Sequence, residues 1–404
     1  MRRLLFTLPL SLLFIGSLSA QCLFQNGKLI STNGTPCVNT VSTAVPFLNI
    51  VPDARSGAMG DVAIALSPDA NSMHANASKL AFAEEPFAIS ATYTPWLREL
   101  GLQDVYLAYL SGYRKINDLQ TIGLSLRYFS LGSISFTDAN GEPLGTGRPN
   151  EFELKGSYAR KLSDNLSAAV GAKFIYSNLA AGQRVNGTGE EITAGLAGAA
   201  DISFTYQKEM DGANLRVGLA ARNIGSKITY TNSVVRDFLP ANLGLGAAYE
   251  LQLDEYNSLT FAADVNKLLA PTPCFDNPDT PENECEQSGD PDVLDYREQS
   301  PIGGVFSSFG DAPGGAQEEF REIYFSAGAE YWYDDQFAVR TGYYYEHQSK
   351  GGRRFLTVGV GLKYNIFGLN FSYLVPTTNQ NNPLDNTLRV SMLFNFGQEV
   401  GDGE

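Results

Sequence analysis

Apolar and polar residues alternate one by one through most of the chain after Pro86. Between Leu356 and Tyr364 every second residue is Leu, Val or Tyr, and the residues between them are Thr, Gly or Lys. Since neighbouring residues of a strand point to opposite faces, such a segment has one apolar face and one small or polar face. The strands of a soluble β-sandwich and the wall of a membrane barrel both have this pattern.

The connections between the predicted strands favour the barrel. The pattern predicts fourteen strands, at 86–94, 102–114, 118–131, 150–162, 165–180, 188–207, 212–224, 240–253, 256–268, 319–333, 336–348, 353–365, 367–375 and 386–396. Tight turns follow the even-numbered strands, and most odd-numbered strands are followed by longer loops, at 132–149, 181–187, 225–239, 269–318 and 376–385. Short turns at one end and long loops at the other are typical of outer-membrane barrels. We therefore expect an all-β protein, a 14-stranded antiparallel transmembrane β-barrel with periplasmic termini and extracellular long loops.

Aromatic clusters near the predicted strand ends agree with a membrane location. They are Tyr331–Tyr333, Tyr343–Tyr345, and Phe371 with Tyr373. Tyr and Trp collect where a bilayer meets water. The alternative, a core position in a soluble β protein, is disfavoured by the unequal loop lengths.

The first twenty residues have the three parts of a secretory signal peptide. Two arginines precede an apolar stretch, residues 4–15, and small residues then lead to Ala20. We expect cleavage before Gln21. Because Gln21 is a poor residue to precede a lipid-modified Cys22, ordinary cleavage is favoured over a lipoprotein.

Net charge and cysteine spacing indicate which kinds of partner and which cellular compartment to expect. The formal charge is −15, and it becomes −17 once the two signal-peptide arginines are removed. Nucleic-acid binding is not expected, because phosphates demand Lys and Arg. The four cysteines form two close pairs, Cys22/Cys37 and Cys274/Cys285. Export into an oxidising compartment favours a disulfide in each pair over metal binding, since neither pair has the spacing of a zinc site.

Residues 45–85 are predicted to fold into the barrel as a hatch. About 8 strands fill their own interior and about 16–18 leave a channel, so fourteen strands should leave a lumen to be filled. Ser67-Pro68 predicts a helix start, after which Met73, Ala77 and Leu80 share one face. The alternative is a periplasmic tail. The expected organisation is a signal peptide at 1–20, an N-terminal extension at 21–44, the hatch at 45–85, the barrel at 86–397 and a tail at 398–404.

Charges in the hatch need partners, because a lumen would bury them. The hatch charges are Asp53, Arg55, Asp61 and Asp69, and the inward wall cations that could pair within the lumen are Arg127, Lys155, Lys173 and Arg389. Static salt bridges that hold a plug are favoured over a gate that opens when the pairs break.

The hatch also resembles a known family. The stretches PDARSGAMGD, SPDANS and KLAF, between Pro52 and Phe82, resemble the hatch of the FadL-like barrels. YTPWLRELG, SLRYFSLGSISFTDANGE and YSNLA narrow the resemblance to the PorV family of the type IX secretion system. The resemblance runs from about Val45 to the end of the chain. One pattern of the family, Trp-Asn-Pro-Ala, differs here and reads Ala75-Asn76-Ala77-Ser78.

This resemblance implies a set of hatch residues and a function. The implied hatch residues are Asp53, Arg55, Gly57, Met59, Gly60, Asp61, Asp69, Asn71, Asn76 and Lys79. The family is not known for enzymes, and it implies no cofactor. Its members lie in the outer-membrane bilayer, where they bind the C-terminal signal domains of secreted proteins at a large translocon barrel. They then carry this cargo to a sortase-like surface attachment complex. The alternative is a FadL-like channel for hydrophobic small molecules.

Motifs for catalysis are not predicted. A Ser-His-Asp hydrolase would need His74 or His347, the two histidines of the chain, and neither has a Gly-x-Ser-x-Gly elbow beside it. Gly244-Leu245-Gly246 and Gly359-Val360-Gly361 open no helix, so they are interpreted as small inward wall residues rather than as part of a nucleotide site.

The predicted loop 269–318 is strongly acidic. It carries Asp276, Asp279, Glu282, Glu284, Glu286, Asp290, Asp292, Asp295, Glu298, Asp311 and Glu318 against Arg297 alone. Calcium binding, docking of a basic partner and a solvated surface loop are three interpretations. Without an EF-hand pattern the solvated loop is favoured over calcium, and docking stays open.

Overall fold

The computed structural model of the chain divides into two compact units, residues 1–37 and 38–404. It describes residues 22–25, 28–31, 40–98, 101–137, 141–180, 182–183, 191–231, 236–273, 297–312, 315–378 and 386–397. The described part of the first unit is a hairpin of β1 (Cys22–Gln25) and β2 (Lys28–Ser31), which pair antiparallel.

Most of the second unit is a single closed sheet. Its strands and a loop hairpin are β3 (Phe87–Pro95), β4 (Val105–Asn117), β5 (Gln120–Leu131), β6 (Ile134–Thr137), β7 (Pro143–Gly147), β8 (Asn150–Lys161), β9 (Leu166–Asn178), β10 (Gly195–Met210), β11 (Ala213–Gly225), β12 (Asn242–Gln252), β13 (Asn257–Leu268), β14 (Ile323–Tyr333), β15 (Phe337–Tyr345), β16 (Arg354–Tyr364), β17 (Phe367–Pro376) and β18 (Leu388–Phe396). The hairpin β6–β7 lies in the loop after β5, and the other fourteen strands form a closed antiparallel barrel. The predicted fold is confirmed.

The barrel closes where its last strand pairs with its first. Phe396 lies opposite Phe87 in the ladder between β18 and β3. We call this end of the barrel, which carries the short connections, the turn end. The opposite end, near Pro95 and Val105, carries the long connections and is called the loop end.

Burial follows the predicted alternation, but in the reverse sense to a soluble protein. On β16 the apolar Leu356 and Val358 are 46% and 51% exposed on the outer face, while Thr357 between them is fully buried. A wall whose apolar side chains face outward is suited to lipid contact. The same alternation corrects the aromatic prediction, because Tyr344 in the middle of its cluster points inward and is buried.

The lumen contains the segment before β3. Its helices are α1 (Ala54–Ala58) and α2 (Ser72–Ala75), with 3-10 turns at Pro46–Asn49 and Ala77–Phe82. Further short helices are α3 (Pro301–Ser307), α4 (Ala316–Arg321) and a 3-10 turn at Gln348–Lys350. No helix among the described residues is both long and apolar enough to cross a membrane.

The hatch runs through the lumen from one end of the barrel to the other. The amide of Ala44 donates to the carbonyl of Phe238 at the loop end, and the chain then reaches Phe87 at the turn end. The first and last barrel strands therefore both have their free ends at the turn end, and that this end faces the periplasm stays a prediction. The apolar side chains of Val45, Phe47 and Leu48 are buried at the loop end, and this burial draws the chain there.

The predicted helix start at Ser67-Pro68 is wrong. The helix α2 begins at Ser72, because the carboxylate of Asp69 accepts hydrogen bonds from the amides of Asn71 and Ser72. Ser67 instead accepts a hydrogen bond from the Arg55 guanidinium. Met73, Ala77 and Leu80 do not share the face of one helix, because α2 ends at Ala75, but they still pack in one apolar cluster.

Candidate functional site

The contact between hatch and wall is the main candidate site, and wall side chains hold the hatch by its backbone. Ser391 accepts a hydrogen bond from the amide of Ala54 at 2.8 Å. Thr357 accepts from the amide of Gly60 and donates to the carbonyl of Ala58, both at 2.8 Å. Such bonds satisfy backbone groups that the short helices of the hatch leave open. They fix the path of the hatch whatever its side chains are.

A buried charge cluster pins α1 to the wall. Arg55 forms a two-pronged pair with Glu330 of β14, with Nε and Nη2 at 2.9 and 2.6 Å from its carboxylate oxygens. Arg340 of β15 donates to the same carboxylate at 2.5 Å. Asp69 lies 3.5 Å from Arg55 on the other side. Glu330 and Arg340 are each 1% exposed, so these charges depend on one another.

The turn after α1 fits against the wall because the wall has glycines there. Methyl groups added at Gly328 or Gly342 would lie within 2.7 Å of atoms of Met59. Gly60 itself lies against the backbone of Tyr343 with φ +71°, a conformation that favours glycine. A second contact places Gly246 against Ile64. In the predicted Gly-x-Gly stretches, Gly359 likewise makes room for Ala58 of the hatch, whereas Gly361 faces the wall side chains Arg340 and Asn370.

The remaining acidic hatch residues have separate partners. Asp53 caps α1 by accepting from the amide of Ser56 at 2.8 Å, and Asp61 lies 3.4 Å from Arg389 of β18. Burial raises the pKa of both carboxyls. Gly57 faces the Arg389 side chain so closely that a methyl group there would clash with it.

Asn76 and Lys79 join two parts of the hatch to each other. The side-chain amide nitrogen of Asn76 donates to the carbonyl of Ile64 and to the hydroxyl of Thr205 of β10, both at 2.9 Å. Lys79 donates to the carbonyl of Ala63 at 2.7 Å. Burial lowers the pKa of Lys79 to about 8. The wall carboxylate of Asp264 binds the same part of the hatch, because it accepts hydrogen bonds from the backbone amides of residues 63 and 64 at 2.7 and 3.0 Å.

His74 and Arg127 meet in the middle of the lumen. Arg127 Nη2 lies 2.5 Å from Nδ1 of His74, and both side chains are buried. A guanidinium can only donate, so Nδ1 is the acceptor and the imidazole is neutral. Burial, and next the positive charge of Arg127, hold the pKa of His74 well below its usual value. Asn71, on the same side of the hatch, accepts a long hydrogen bond of 3.4 Å from Ser111.

The four predicted wall cations divide into two groups. Arg389 pairs with the hatch carboxylate Asp61 as expected, whereas Arg127 contacts hatch carbonyls and His74. Lys155 and Lys173 instead pair with the wall residue Asp201, at 2.5 and 3.0 Å. Lys155 also donates to the carbonyl of Met73 at 2.6 Å, so it reaches the hatch through the backbone rather than through a hatch carboxylate.

Sequence reasoning missed the wall residues that hold the hatch most directly. These are Glu330, Arg340, Asp264, Thr357 and Ser391. The available signal was a charged residue on the small or polar face of a strand, as at Glu330 and Asp264. The alternation shows that such a residue faces the lumen, but it does not show which hatch residue lies opposite.

The loop half of the lumen contains an apolar cluster beside buried polar residues such as Glu151 and Asn223. Val45, Phe47 and Leu48 are each 1% exposed and pack against wall residues from several strands. The wall residues that line this chamber are Trp96, Val105, Leu107, Phe129, Ile175, Phe355 and Leu374. The chain's own residues therefore fill the space in which an apolar ligand would lie.

The turn half of the lumen holds a polar cavity of about 360 Å³ between hatch and wall. Its lining includes Arg55, Asp69, Arg216, Glu250, Glu330 and Arg340. A charged cavity of this kind does not suit an apolar ligand, because charged groups would lose their hydration without compensation.

The described part of the acidic loop is tied down by salt bridges. Lys350 lies 2.6 Å from Glu318 and 2.9 Å from Glu322, and Lys267 pairs with Glu319 at 2.9 Å. Within the described residues no group of three or more possible metal ligands comes together. Most of the acidic residues on which the calcium interpretation rests lie outside the described residues. Cys37, Cys274, Cys285 and the side chain of Cys22 also lie outside them, so both disulfides stay predictions.

Comparison with known protein families finds a match over more than half of the chain. The family described as "Type IX secretion system protein PorV" matches residues 34–275. No curated protein sequence matches the chain.

Solved structures with a similar fold include a hydrocarbon channel and a toluene transporter. A TodX monoaromatic hydrocarbon channel mutant shares 14% identity, with a TM-score of 0.52 over 85% of this chain and 99% of that chain. The P. putida toluene transporter TodX shares 12% identity, with a TM-score of 0.50 over 85% and 98%. A P. aeruginosa FadL homologue shares 14% identity over 89% and 100%, with a TM-score of 0.43. At these identities the likeness to TodX shows the fold alone.

Proposed function

This chain belongs to the PorV family of type IX secretion system proteins, and we propose that it binds secreted proteins by their C-terminal signal domains. It is an outer-membrane component of that system. In the proposed function it meets the cargo at a large translocon barrel and carries it to a sortase-like attachment complex on the cell surface. The long loops would face the outside, and the barrel would act through its surfaces rather than as an enzyme.

The filled lumen is the observation that supports a role at the surface. Apolar residues 45–48 close the loop half, and the hatch is bonded to the wall below them. A protein that moves cargo through its own lumen would have to remove both. A protein that holds cargo on its loops can keep both the segment 45–48 and the hatch in place.

Exposed apolar side chains in the loops could hold such a cargo. Ile302, Phe306 and Phe309 lie on or just after α3, and Phe320 lies on α4. The Phe306 and Phe320 side chains are 72% and 73% exposed, although they lie outside the barrel strands that face lipid. Exposed aromatic side chains in loops frequently supply binding contacts.

Affinity purification from mildly solubilised outer membranes tests this function. The protein should bring with it a very large barrel protein, a protease-like attachment subunit and exported proteins that share a C-terminal domain. The double substitution Phe306→Ser and Phe309→Ser should lower the yield of exported proteins while the large barrel stays bound. Ile134→Ser, at an apolar residue of another loop-end segment, is the matched control. Recovery of the protein alone would reject the secretion function.

A FadL-like channel for hydrophobic small molecules is the second candidate, favoured by the fold shared with TodX. For this function residues 45–48 would have to leave the apolar chamber. Deletion of the gene should then reduce uptake of a labelled fatty acid or of toluene, and fatty acid should be extractable from the purified protein. Unchanged uptake would leave the secretion function alone.

A further inference from the structure

Residues Val45–Ile50 lie in the barrel as a ligand lies in a binding site. They form one 3-10 turn, and their apolar side chains contact the wall at the loop end. The ring of Phe47 stacks on Phe129 with centroids 6.2 Å apart, and Phe129 in turn meets the edge of Trp96 at 4.9 Å. These contacts form one apolar cluster that contains no residue between 51 and 86.

The wall recognises the backbone of this turn as well as its side chains. Arg127 Nη1 donates to the carbonyls of Phe47 and Leu48 at 2.9 Å each and to that of Ile50 at 3.2 Å. A helical turn leaves some of its last carbonyls without internal partners, and a cation placed there satisfies them; here the Phe47 carbonyl also accepts from the Ile50 amide inside the turn. One buried guanidinium therefore binds the carbonyls at the end of a turn, whichever side chains the turn carries.

The fit of the present occupant is incomplete. Val45 has φ 46°, a left-handed conformation that a β-branched residue rarely adopts. In addition, the buried indole N–H of Trp96 finds no acceptor within the described structure. The chamber thus offers a donor that the present occupant does not use.

Few polar contacts tie the segment to the rest of the molecule. Apart from Arg127, the amide of Ala44 donates to Phe238, and the Asn223 side chain lies 3.4 Å from that of Asn49. Residues 51–83 have their own apolar clusters and their own bonds to the wall. Departure of the segment would therefore leave the attachment of the hatch in place. Among the described residues the shared group is Arg127, which contacts both the segment and His74.

We propose that the loop half of the lumen is a peptide-binding chamber for a short apolar turn, which the chain's own residues Val45–Ile50 occupy. The occupant can be exchanged for a separate peptide of the same chemistry, with two large apolar side chains and free carbonyls at the end of its turn. This proposal does not depend on the secretion function, since it follows from the chamber and its contents.

Binding of a synthetic peptide to the full-length protein in detergent tests the proposal. The double variant Phe47→Asp and Leu48→Asp should expel the segment, because two carboxylates cannot be buried among apolar side chains. A fluorescent peptide with the sequence of residues 41–50, VSTAVPFLNI, should then bind the variant saturably. Its affinity for the unchanged protein should be at least tenfold weaker, because the tethered segment competes at a high effective concentration, of the order of mM.

Two controls make the result specific. A peptide in which the Phe and Leu are replaced by Ser should not bind the variant. Adding Arg127→Met to the variant should weaken binding of the original peptide about tenfold, because the peptide would lose the hydrogen bonds from the guanidinium to its carbonyls. Failure of the peptide to bind a variant with an unchanged circular dichroism spectrum, or equal binding of the Ser peptide, would overturn the proposal.

Hydrogen exchange in the unchanged protein gives a second test that needs no variant. The amides of Leu48 and Ile50, bonded to Val45 and Phe47, should exchange faster than the hatch amides of Gly60 and Ala63. Excess peptide should increase exchange at residues 48 and 50 alone. If the segment and the hatch open together, the segment is part of the hatch and the proposal fails.

Discussion

The two halves of the lumen are closed by different kinds of contact. At the loop end, apolar side chains of residues 45–48 fill an apolar chamber, and one guanidinium contacts the backbone. Below it, hydroxyl and carboxylate groups of the wall bind the hatch backbone, and Glu330 joins two arginines. Apolar burial is non-directional, so it can accept more than one occupant. Buried hydrogen bonds and charges demand fixed partners, so they specify one arrangement.

Removing the wall carboxylate that binds the hatch arginine should have the largest effect. Glu330→Gln leaves Arg55 and Arg340 buried without their shared carboxylate. We expect a loss of about 3–5 kcal/mol in the stability of hatch attachment, because unpaired buried charges are strongly destabilising. Hydrogen exchange at hatch amides such as Gly60 measures this loss. The control Glu250→Gln, at a partly exposed partner of Arg216, should cost less than about 1 kcal/mol. Equal losses in both variants would contradict the difference between buried and exposed charges.

The loop half should respond next, and separately. Leu48→Ala removes a fully buried side chain from the apolar chamber, and we expect a loss of about 3 kcal/mol from transfer and cavity terms. Exchange at the amides of residues 48 and 50 should rise while exchange at Gly60 stays unchanged. Leu356→Ala, on the lipid-facing surface of β16, is a control of equal chemistry. A rise at Gly60 as well would show that the two halves are one unit.

Low pH should weaken the attachment of the hatch to the wall through protonation of His74. Its folded pKa lies well below 6.5, so the unfolded state binds more protons below that pH. Stability of hatch attachment should therefore be fully present above pH 6.5 and fall below it, by at most about 1.4 kcal/mol per pH unit for this one group. Exchange of hatch amides measured between pH 7 and 5, corrected for the intrinsic rate, tests this. The variant His74→Gln should flatten the dependence, and the same slope in both proteins would assign it to another group.

The smallest effect is expected at a long hydrogen bond between hatch and wall. Ser111→Ala removes the 3.4 Å contact to Asn71, and we expect a loss of about 0.5 kcal/mol. Thermal unfolding in detergent should show a transition within a few degrees of the unchanged protein. A loss as large as that of Glu330→Gln would mean that Asn71 holds the hatch more firmly than its geometry indicates.

The strands and the family were predictable from sequence because both depend on local patterns. Alternation fixed each strand to within a few residues over most of the barrel, as at β16, predicted at 353–365 and found at Arg354–Tyr364. Short stretches of the hatch indicated FadL-like barrels, and stretches of the barrel narrowed this to the family that residues 34–275 match. The helix start failed because Ser67 and Asp69 are both capping residues, and only the folded chain decides that Arg55 takes Ser67.

By itself, the sequence determined a closed barrel with unequal connections and a segment to fill it, because alternation and loop length are properties of neighbouring residues. The tertiary structure decided which residues meet inside the lumen. Glu330 lies 275 positions from Arg55, and Ser391 lies 337 positions from Ala54. It also decided that residues 45–48 enter at the loop end. Contacts between such distant residues depend on the register of every strand between them, and no local pattern carries that information.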